Sequence, residues 1–145
     1  MQKAEFLERV RERRETASPE QVEEVVKAAL AALGERLYRT ERDALKAQLP
    51  KEMEGYLERE SIREAEPQDV PRFNLEEYYQ RVDARVEVGF PAVVAWSRDV
   101  LAVLEEAVSD SVMDKVLAAL PDSYRELFGR EPGGPASPTV LSEGS

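Results

Sequence analysis

The chain has 145 residues, of which 42% are hydrophobic and 34% are charged, and its formal net charge is −10. A chain of this length folds as one domain or as two small units that share a core. It contains neither cysteine nor histidine, which excludes disulfides, thiolate nucleophiles, zinc-finger sites and the usual histidine general base. The excess of acidic side chains disfavours binding to nucleic acid or to an anionic membrane.

Residues 1–60 predict three to four helices. Phe6, Leu7 and Val10 form a short apolar stripe for the first of them. Residues 18–21, SPEQ, predict the start of a second helix, with Ser18 as its cap and Gln21 completing a capping box. This helix is expected to extend to about residue 38, because its apolar residues recur at spacings of three and four: Val22, Val25, Val26, Ala29, Leu30, Leu33 and Leu37.

A third helix is expected to start at residues 40–43, TERD, with Thr40 as its cap. Leu45 and Leu49 would face inward. Pro50 ends this helix, since proline has no N–H to donate, and it suits the first turn of a last short helix. The residues that this last helix is expected to bury are Met53, Tyr56 and Leu57.

Residues 75–130 repeat the first pattern. EFLERV at 5–10 matches EYYQRV at 77–82 with an offset of 72, and AALAALGERL at 28–37 matches DVLAVLEEAV at 99–108 with an offset of 71. The second unit therefore predicts a stripe at Tyr78, Tyr79, Val82 and Val86, and a long helix over 91–108. It also predicts a helix capped by Ser111 and a last helix after Pro121 that buries Tyr124, Leu127 and Phe128. Since a repeat unit cannot bury its apolar face alone, the two units are expected to share one core.

The remaining segments predict connections. Residues 61–74 hold two prolines and little periodicity, which indicates a linker, and residues 131–145 are rich in glycine, proline and serine, which indicates a flexible tail. No stretch alternates apolar and polar residues over a sufficient length to predict a strand. The predicted fold is all-α, with two homologous helical units of three to four helices each, residues 1–60 and 75–130, packed as one pseudo-twofold bundle.

The richest charged cluster is ERVRERRE at residues 8–15. Its arginines could form a contact strip for an acidic partner, but pairs such as Glu5–Arg9 on a solvated helix face are the favoured interpretation. Tyr78 and Tyr79 are adjacent, so one is expected to face inward and the other outward, where it could anchor an interface. The candidate interaction surface consists of Arg9, Arg13, Arg14 and Tyr79.

Other candidate chemistry is weaker. The neighbouring carboxylates at 23–24, 76–77 and 105–106 point about 100° apart on a helix, so the members of each pair are expected on solvated faces and not in one metal or substrate site. Trp96 lies among valines, which favours a core position over ligand stacking. We therefore predict no catalytic residue, no cofactor and no metal site.

Taken together, EFLERV, AALAALGERL, AQLP, LEEYYQRV, VLAVLEEAV and LPDSYRELF resemble an uncharacterised bacterial family, domain of unknown function 2267. The resemblance covers most of residues 5–129 in the same tandem order, and the two Leu-Pro corners are its most specific marks. The second unit departs from the first at Ala119, where the first has Gln48, so a helix-corner hydrogen bond from Gln48 is expected in the first unit alone. The resemblance implies a fold but no established activity.

Residues 3–41 are also similar to the N-terminal helical hairpin of bacterial histone-like DNA-bending proteins, whose hairpins interlock in a dimer. The DNA-holding arms of those proteins have no counterpart here, and the charge is reversed. The likeness therefore implies a way of packing, in which the two long helices of one chain contact each other.

These observations favour a cytoplasmic, non-enzymatic helical module for protein interaction or regulation, with a protein partner or self-association. The alternative is a small-molecule-binding protein, or an enzyme that uses carboxylates and tyrosine in a cleft between the two units. A closed pocket with convergent polar groups would favour the alternative.

Overall fold

The computed structural model describes residues 1–14, 17–57 and 72–128. In these ranges the chain forms six α-helices and two 3₁₀ helices and no strand, so the all-α prediction is confirmed. The elements in chain order are α1 (Lys3–Arg13), α2 (Pro19–Arg36), α3 (Arg39–Gln48), η1 (Lys51–Leu57), α4 (Leu75–Val86), α5 (Ala92–Ala107), α6 (Asp110–Ala118) and η2 (Asp122–Phe128).

The two long helices form the centre of the bundle. Helix α2 packs against α1, α4, α5 and η1, while α5 packs against α1, α2, α4 and η2. Apolar side chains from both repeat units join in a single buried cluster, because neither unit alone covers the apolar faces of its helices. The contact between α2 and α5 is the one that interlocked hairpins require; the twofold relation between the units stays a prediction.

The capping box that starts α2 is confirmed. The Ser18 hydroxyl accepts from the Gln21 N–H at 3.1 Å, and the Gln21 side chain accepts from the Ser18 N–H at 3.1 Å. All seven apolar positions predicted for this helix and its end are buried. The helix itself ends at Arg36, because Leu37 has an extended backbone and its N–H bonds to the carbonyl of Gly34 at 3.4 Å.

The caps predicted for the third helix of each unit are wrong. Helix α3 starts after Tyr38, which provides no side-chain cap, and Thr40 lies inside the first turn. Helix α6 starts after Ser109, whose hydroxyl accepts from the Val112 N–H at 3.3 Å, so Ser111 also lies within the helix. The physical reason is that α5 ends at Ala107 and leaves Ser109 with the extended backbone that an N-cap needs.

The two Leu-Pro corners are confirmed as helix boundaries. The carbonyl of Pro50 accepts from the Met53 N–H at 2.8 Å, and that of Pro121 accepts from the Tyr124 N–H at 3.0 Å. Each bond closes the first turn of a 3₁₀ helix, which is tighter than the α-helix before it. The side chains expected to be buried here are buried, except that Tyr56 is only partly covered.

Most of the predicted linker and the whole predicted tail lie outside the described residues. Two residues assigned to the linker, Phe73 and Asn74, belong to the packed body. The Phe73 ring is buried, and its carbonyl accepts from Arg36 Nε at 3.0 Å and from the Tyr124 hydroxyl at 2.7 Å. The Asn74 side chain caps α4 by accepting from the Glu77 N–H at 2.9 Å.

Candidate functional site

Asp83 shapes a tight connection between α4 and α5, here called the α4–α5 corner (residues 83–91). One oxygen of its carboxylate accepts from the backbone N–H groups of Val88 at 2.8 Å and of Gly89 at 2.7 Å. Its backbone carbonyl accepts from the Glu87 N–H at 2.7 Å. Because each bond ties a corner amide to the last turn of α4, the path of the backbone is fixed.

Two corner residues have a left-handed backbone. Glu87, directly after α4, has φ 55° and ψ 45°, and Gly89 has φ 79°. Glycine adopts this conformation readily, whereas a residue with a Cβ atom does so at a cost of roughly 1 kcal/mol. The hydrogen bonds to Asp83 offset that cost. Uncommon backbone conformations held in this way are concentrated at binding and active sites.

Phe90 lies in this corner and is 52% exposed. Within the described ranges it is the most exposed large hydrophobic residue, ahead of the terminal Met1. Its ring stands edge-on to that of Tyr79, with centroids 6.4 Å apart and ring planes at 89°. The corner therefore holds an aromatic side chain largely in water.

The sequence around Phe90 indicates a turn, which helical periodicity does not detect. Phe90 stands between Gly89 and Pro91, two residue types that mark turns. A large apolar side chain placed in a turn is expected at the surface. Periodicity selects helix faces, so it passes over such an isolated position.

Tyr79, beneath the corner, is almost fully buried, with 5% of its surface exposed. Its hydroxyl is buried and has no hydrogen-bond partner among the described residues. Burial raises the pKa of Tyr79 to about 12, and the charge of Glu126 adds to this shift while that of Arg98 opposes it. Like that of any tyrosine, the hydroxyl is protonated at neutral pH and can donate a hydrogen bond, for which the described residues provide no acceptor.

The expectation that one of the two adjacent tyrosines faces outward is wrong, since both are buried. Tyr78 turns toward α2, where its hydroxyl donates to the carbonyl of Ala29 at 2.8 Å. The Tyr79 ring packs edge-on against that of Tyr78, with centroids 5.8 Å apart. The exposed aromatic residue of this region is Phe90.

Three arginines in or directly after α1 contact acidic residues of α5 in the same chain. Arg9 pairs with Glu106 at 3.2 Å, and both Arg13 and Arg14 pair with Asp99, at 3.4 and 2.9 Å. The favoured Glu5–Arg9 pair is also present, at a longer 3.8 Å. These contacts join the two repeat units, and the role of the arginines toward another molecule stays a prediction.

Arg14 also approaches the single tryptophan. Its guanidinium lies 5.7 Å from the centroid of the Trp96 ring, within the range of a cation–π interaction. The ring itself is 8% exposed and belongs to the core cluster, so the core position predicted for Trp96 is confirmed.

A shallow groove runs between α2 and α4, and so between the two units. Its volume is about 330 Å³, and it is open to solvent. The residues that line it are Glu24, Lys27, Ala28, Ala31 and Arg85. Arg85 is held by Glu35 at 2.8 Å, and Arg81 pairs with the other oxygen of that carboxylate at 3.2 Å. The groove is therefore no closed pocket.

The ionisable cluster at the junction of α1, α2 and η1 has the character of a structural contact. Lys3 Nζ lies 2.9 Å from the Glu23 carboxylate, which also accepts from the Tyr56 hydroxyl at 3.1 Å. The hydrogen bond from Lys3 holds the pKa of Glu23 below its ordinary value, while burial raises the pKa of Tyr56. Neither shift moves a group toward neutral pH, where general acids and bases work best.

Over residues 1–14, 17–57 and 72–128, no group of three or more acidic side chains is arranged to hold a metal ion. None of the helices in these ranges is both long and apolar enough to cross a membrane.

Comparison with known proteins identifies one family. The model of the family of uncharacterised conserved proteins DUF2267 matches residues 3–127. A search of curated proteins finds no match to the chain. Since the family model spans most of the chain, the protein belongs to the DUF2267 family.

Proposed function

We propose that the chain is a non-enzymatic module for protein interaction or regulation, and that it contacts its partner at the α4–α5 corner. The observation that carries this proposal is Phe90, which is 52% exposed on a backbone fixed by Asp83. The cytoplasmic location expected from the sequence is part of the same proposal.

The energetics of an exposed aromatic ring favour a partner. Full burial of a phenylalanine side chain contributes about 1.5–3 kcal/mol, so covering the exposed half of Phe90 would contribute about 1 kcal/mol. Aromatic side chains are also enriched among the residues that dominate binding energies. Because the corner is already ordered, binding requires little loss of backbone entropy.

The ionisable groups support a non-enzymatic role. The charged pairs between α1 and α5, and those of Glu35 with Arg81 and Arg85, are contacts within the bundle. The carboxyl pKa of Glu23 is lowered, whereas an acid catalyst among carboxylates needs a raised one. Tyr79 has its pKa raised to about 12, which makes it a poor base at neutral pH.

A second candidate function is small-molecule binding in the α2–α4 groove. Its volume of about 330 Å³ falls within the range of ligand sites, and Lys27 could attract an anionic group. However, the groove is open and Arg85 is engaged by Glu35. We therefore place it behind the interaction module.

The test is a native mass spectrum of the protein purified gently from its own host. We expect a peak at the mass of a defined complex with another protein. A chain that carries only a small retained mass would overturn the interaction module in favour of the groove. A bare chain would also count against the proposal, because a partner bound at a preformed corner should survive gentle purification.

A further inference from the structure

We infer that the α4–α5 corner binds a basic, apolar peptide segment of a partner protein. Phe90 provides the apolar contact, the Tyr79 hydroxyl donates a hydrogen bond to the segment, and Glu87 and Glu126 attract its basic side chains. This inference rests on the proposed function and adds the chemistry of the partner.

The Tyr79 hydroxyl is the first argument for an occupant. Nearly all buried polar groups in proteins have a hydrogen-bond partner, and one that lacks it destabilises the fold. The buried hydroxyls of Tyr78 and Tyr124 follow this rule, since Tyr78 donates to Ala29 at 2.8 Å and Tyr124 donates to Phe73 at 2.7 Å. The buried Ser97 hydroxyl is a second exception within the described residues. Tyr79 has no acceptor in the described part of the chain, and a peptide carbonyl would supply one.

Phe90 lies next to Tyr79, so a peptide segment that contacts Phe90 is also close to the Tyr79 hydroxyl. The Phe90 ring contacts the Tyr79 ring edge-on, and more than half of Phe90 faces solvent. A side chain with so few contacts can change rotamer at little cost. A segment that packs on Phe90 can therefore displace its ring and reach Tyr79.

Charge complementarity specifies a basic segment. Glu87 lies in the corner with its side chain exposed, and Glu126 is exposed on η2, close enough for its charge to act on Tyr79. The charge of Arg98 opposes that of Glu126 at this hydroxyl, and Glu87 adds a second exposed carboxylate in the corner. Residues 75–130 contain 11 acidic and 6 basic side chains, a net charge of −5, and this wider field also attracts a basic partner.

The same charges disfavour other occupants. Nucleic acid and anionic membranes would be repelled by the carboxylates. A second copy of this chain, placed on the corner by a twofold axis, would bring Glu87 and Glu126 against the same residues of its neighbour. Like charges across an interface suppress such pairing.

The probe is a short fluorescent peptide in which lysine and leucine alternate. It is compared with matched lysine–serine and glutamate–leucine peptides by fluorescence anisotropy. We expect the lysine–leucine peptide to bind at least about tenfold more tightly than either control, a difference of about 1.4 kcal/mol. Equal binding of the lysine–serine peptide would overturn the inference, since it would show that net charge alone accounts for the binding.

Variants then locate the binding site. Phe90→Ser should weaken binding of the lysine–leucine peptide by about tenfold, and Tyr79→Phe, which keeps the ring, by about fivefold. Glu126→Gln should weaken it by about twofold and reduce its salt dependence. Glu12→Gln on α1 changes the net charge equally, lies on an exposed site, and should bind as the wild type does.

Wild-type affinity in both Phe90→Ser and Tyr79→Phe would overturn the corner as the binding site. The interaction module itself fails by a different result, the absence of a protein complex in the native mass spectrum. A complex that is undiminished in Phe90→Ser would show that the partner binds elsewhere than at the α4–α5 corner, and the interaction module itself would still stand.

Discussion

The side chain of Gln48, at the end of α3, accepts a hydrogen bond of 2.6 Å from the backbone N–H of Ser109, the N-cap of α6. Gln48 was expected to bond at its own helix corner, and the bond instead crosses to the second unit. Ala119 occupies the place of Gln48 in the second unit and has no side-chain acceptor. The matching bond, to the N–H of Tyr38, is therefore lacking.

Gln48→Ala should destabilise the fold by about 1 kcal/mol, because it removes an acceptor at the start of α6 and leaves an N–H without its partner. Urea unfolding followed by the fluorescence of Trp96 measures this change. Gln80→Ala, an exposed change on α4, should stay within about 0.5 kcal/mol of the wild type. Equal stability of the two variants would show that the bond between the units contributes nothing.

Removing the hydroxyl of Tyr78 or of Tyr79 is expected to change the free energy of unfolding in different ways. Tyr78→Phe should cost about 1 kcal/mol, since it removes the bond to Ala29. Tyr79→Phe should be neutral or stabilise the free protein by up to about 1 kcal/mol, because the removed hydroxyl has no partner within the described ranges. Urea unfolding of the two variants and of the wild type measures these changes in the free energy of unfolding. A loss in Tyr79→Phe as large as that in Tyr78→Phe would mean that its hydroxyl is already bonded.

The raised pKa of Tyr79 predicts a specific loss of stability in alkali. Its folded pKa is about 12, whereas tyrosine in an unfolded chain ionises near pH 10. Because the folded value is the higher one, the contribution to stability is complete below about pH 10 and is lost as the pH rises through about 12. A shift of about two pH units corresponds to a loss of roughly 2–3 kcal/mol.

Tyr79→Phe should therefore lose less stability than the wild type between about pH 9 and pH 12, by on the order of 2 kcal/mol. Unfolding free energies at several alkaline pH values measure the difference. The comparison cancels the general repulsion that the deprotonation of lysines adds to both proteins. Parallel alkaline losses in the two proteins would contradict the burial of an unionised Tyr79.

Substitution by alanine is expected to destabilise the fold at Gly34 but not at Gly55, because the space around the two glycines differs. A Cβ atom at Gly34 would overlap the carbonyl oxygen of Leu57 and lie 3.0 Å from its carbonyl carbon. Since η1 would have to move away from α2, Gly34→Ala should cost about 1–3 kcal/mol. Gly55→Ala meets no atom within 4 Å and should be neutral or stabilise by about 0.5 kcal/mol. Thermal unfolding of the pair checks this, and an unchanged midpoint for Gly34→Ala would contradict the close approach.

The fold was predictable from the sequence where neighbouring residues determine it, as in a capping box or in the spacing of apolar residues along a helix. Ser18 and Gln21 cap α2 as expected, and the apolar spacing of the long helices placed their buried faces correctly. The cap of α6 was predicted at Ser111 and lies at Ser109, because the two serines are equivalent as caps when only the sequence is considered. Only the end of the preceding helix distinguishes them.

The candidate site was less predictable because it depends on contacts between distant residues. The burial of Phe73 depends on Arg36 and Tyr124, which bond to its carbonyl from other helices. Tyr79 was predicted to lie on an exposed interaction surface, but it is buried, because its position follows from packing that helical periodicity does not resolve. Phe90 could have been found from the turn residues on either side of it, Gly89 and Pro91.

Native mass spectrometry of the wild type, Phe90→Ser and Ala118→Ser, each purified gently from the host, tests the central claim most directly. Ala118→Ser is a small change at an exposed site on α6 and serves as the control. We predict a complex of defined mass for the wild type and the control, and a clearly smaller fraction of complex for Phe90→Ser, as expected for about tenfold weaker binding. A wild-type chain without a protein partner, or an undiminished complex in Phe90→Ser, would contradict a module that binds through its α4–α5 corner.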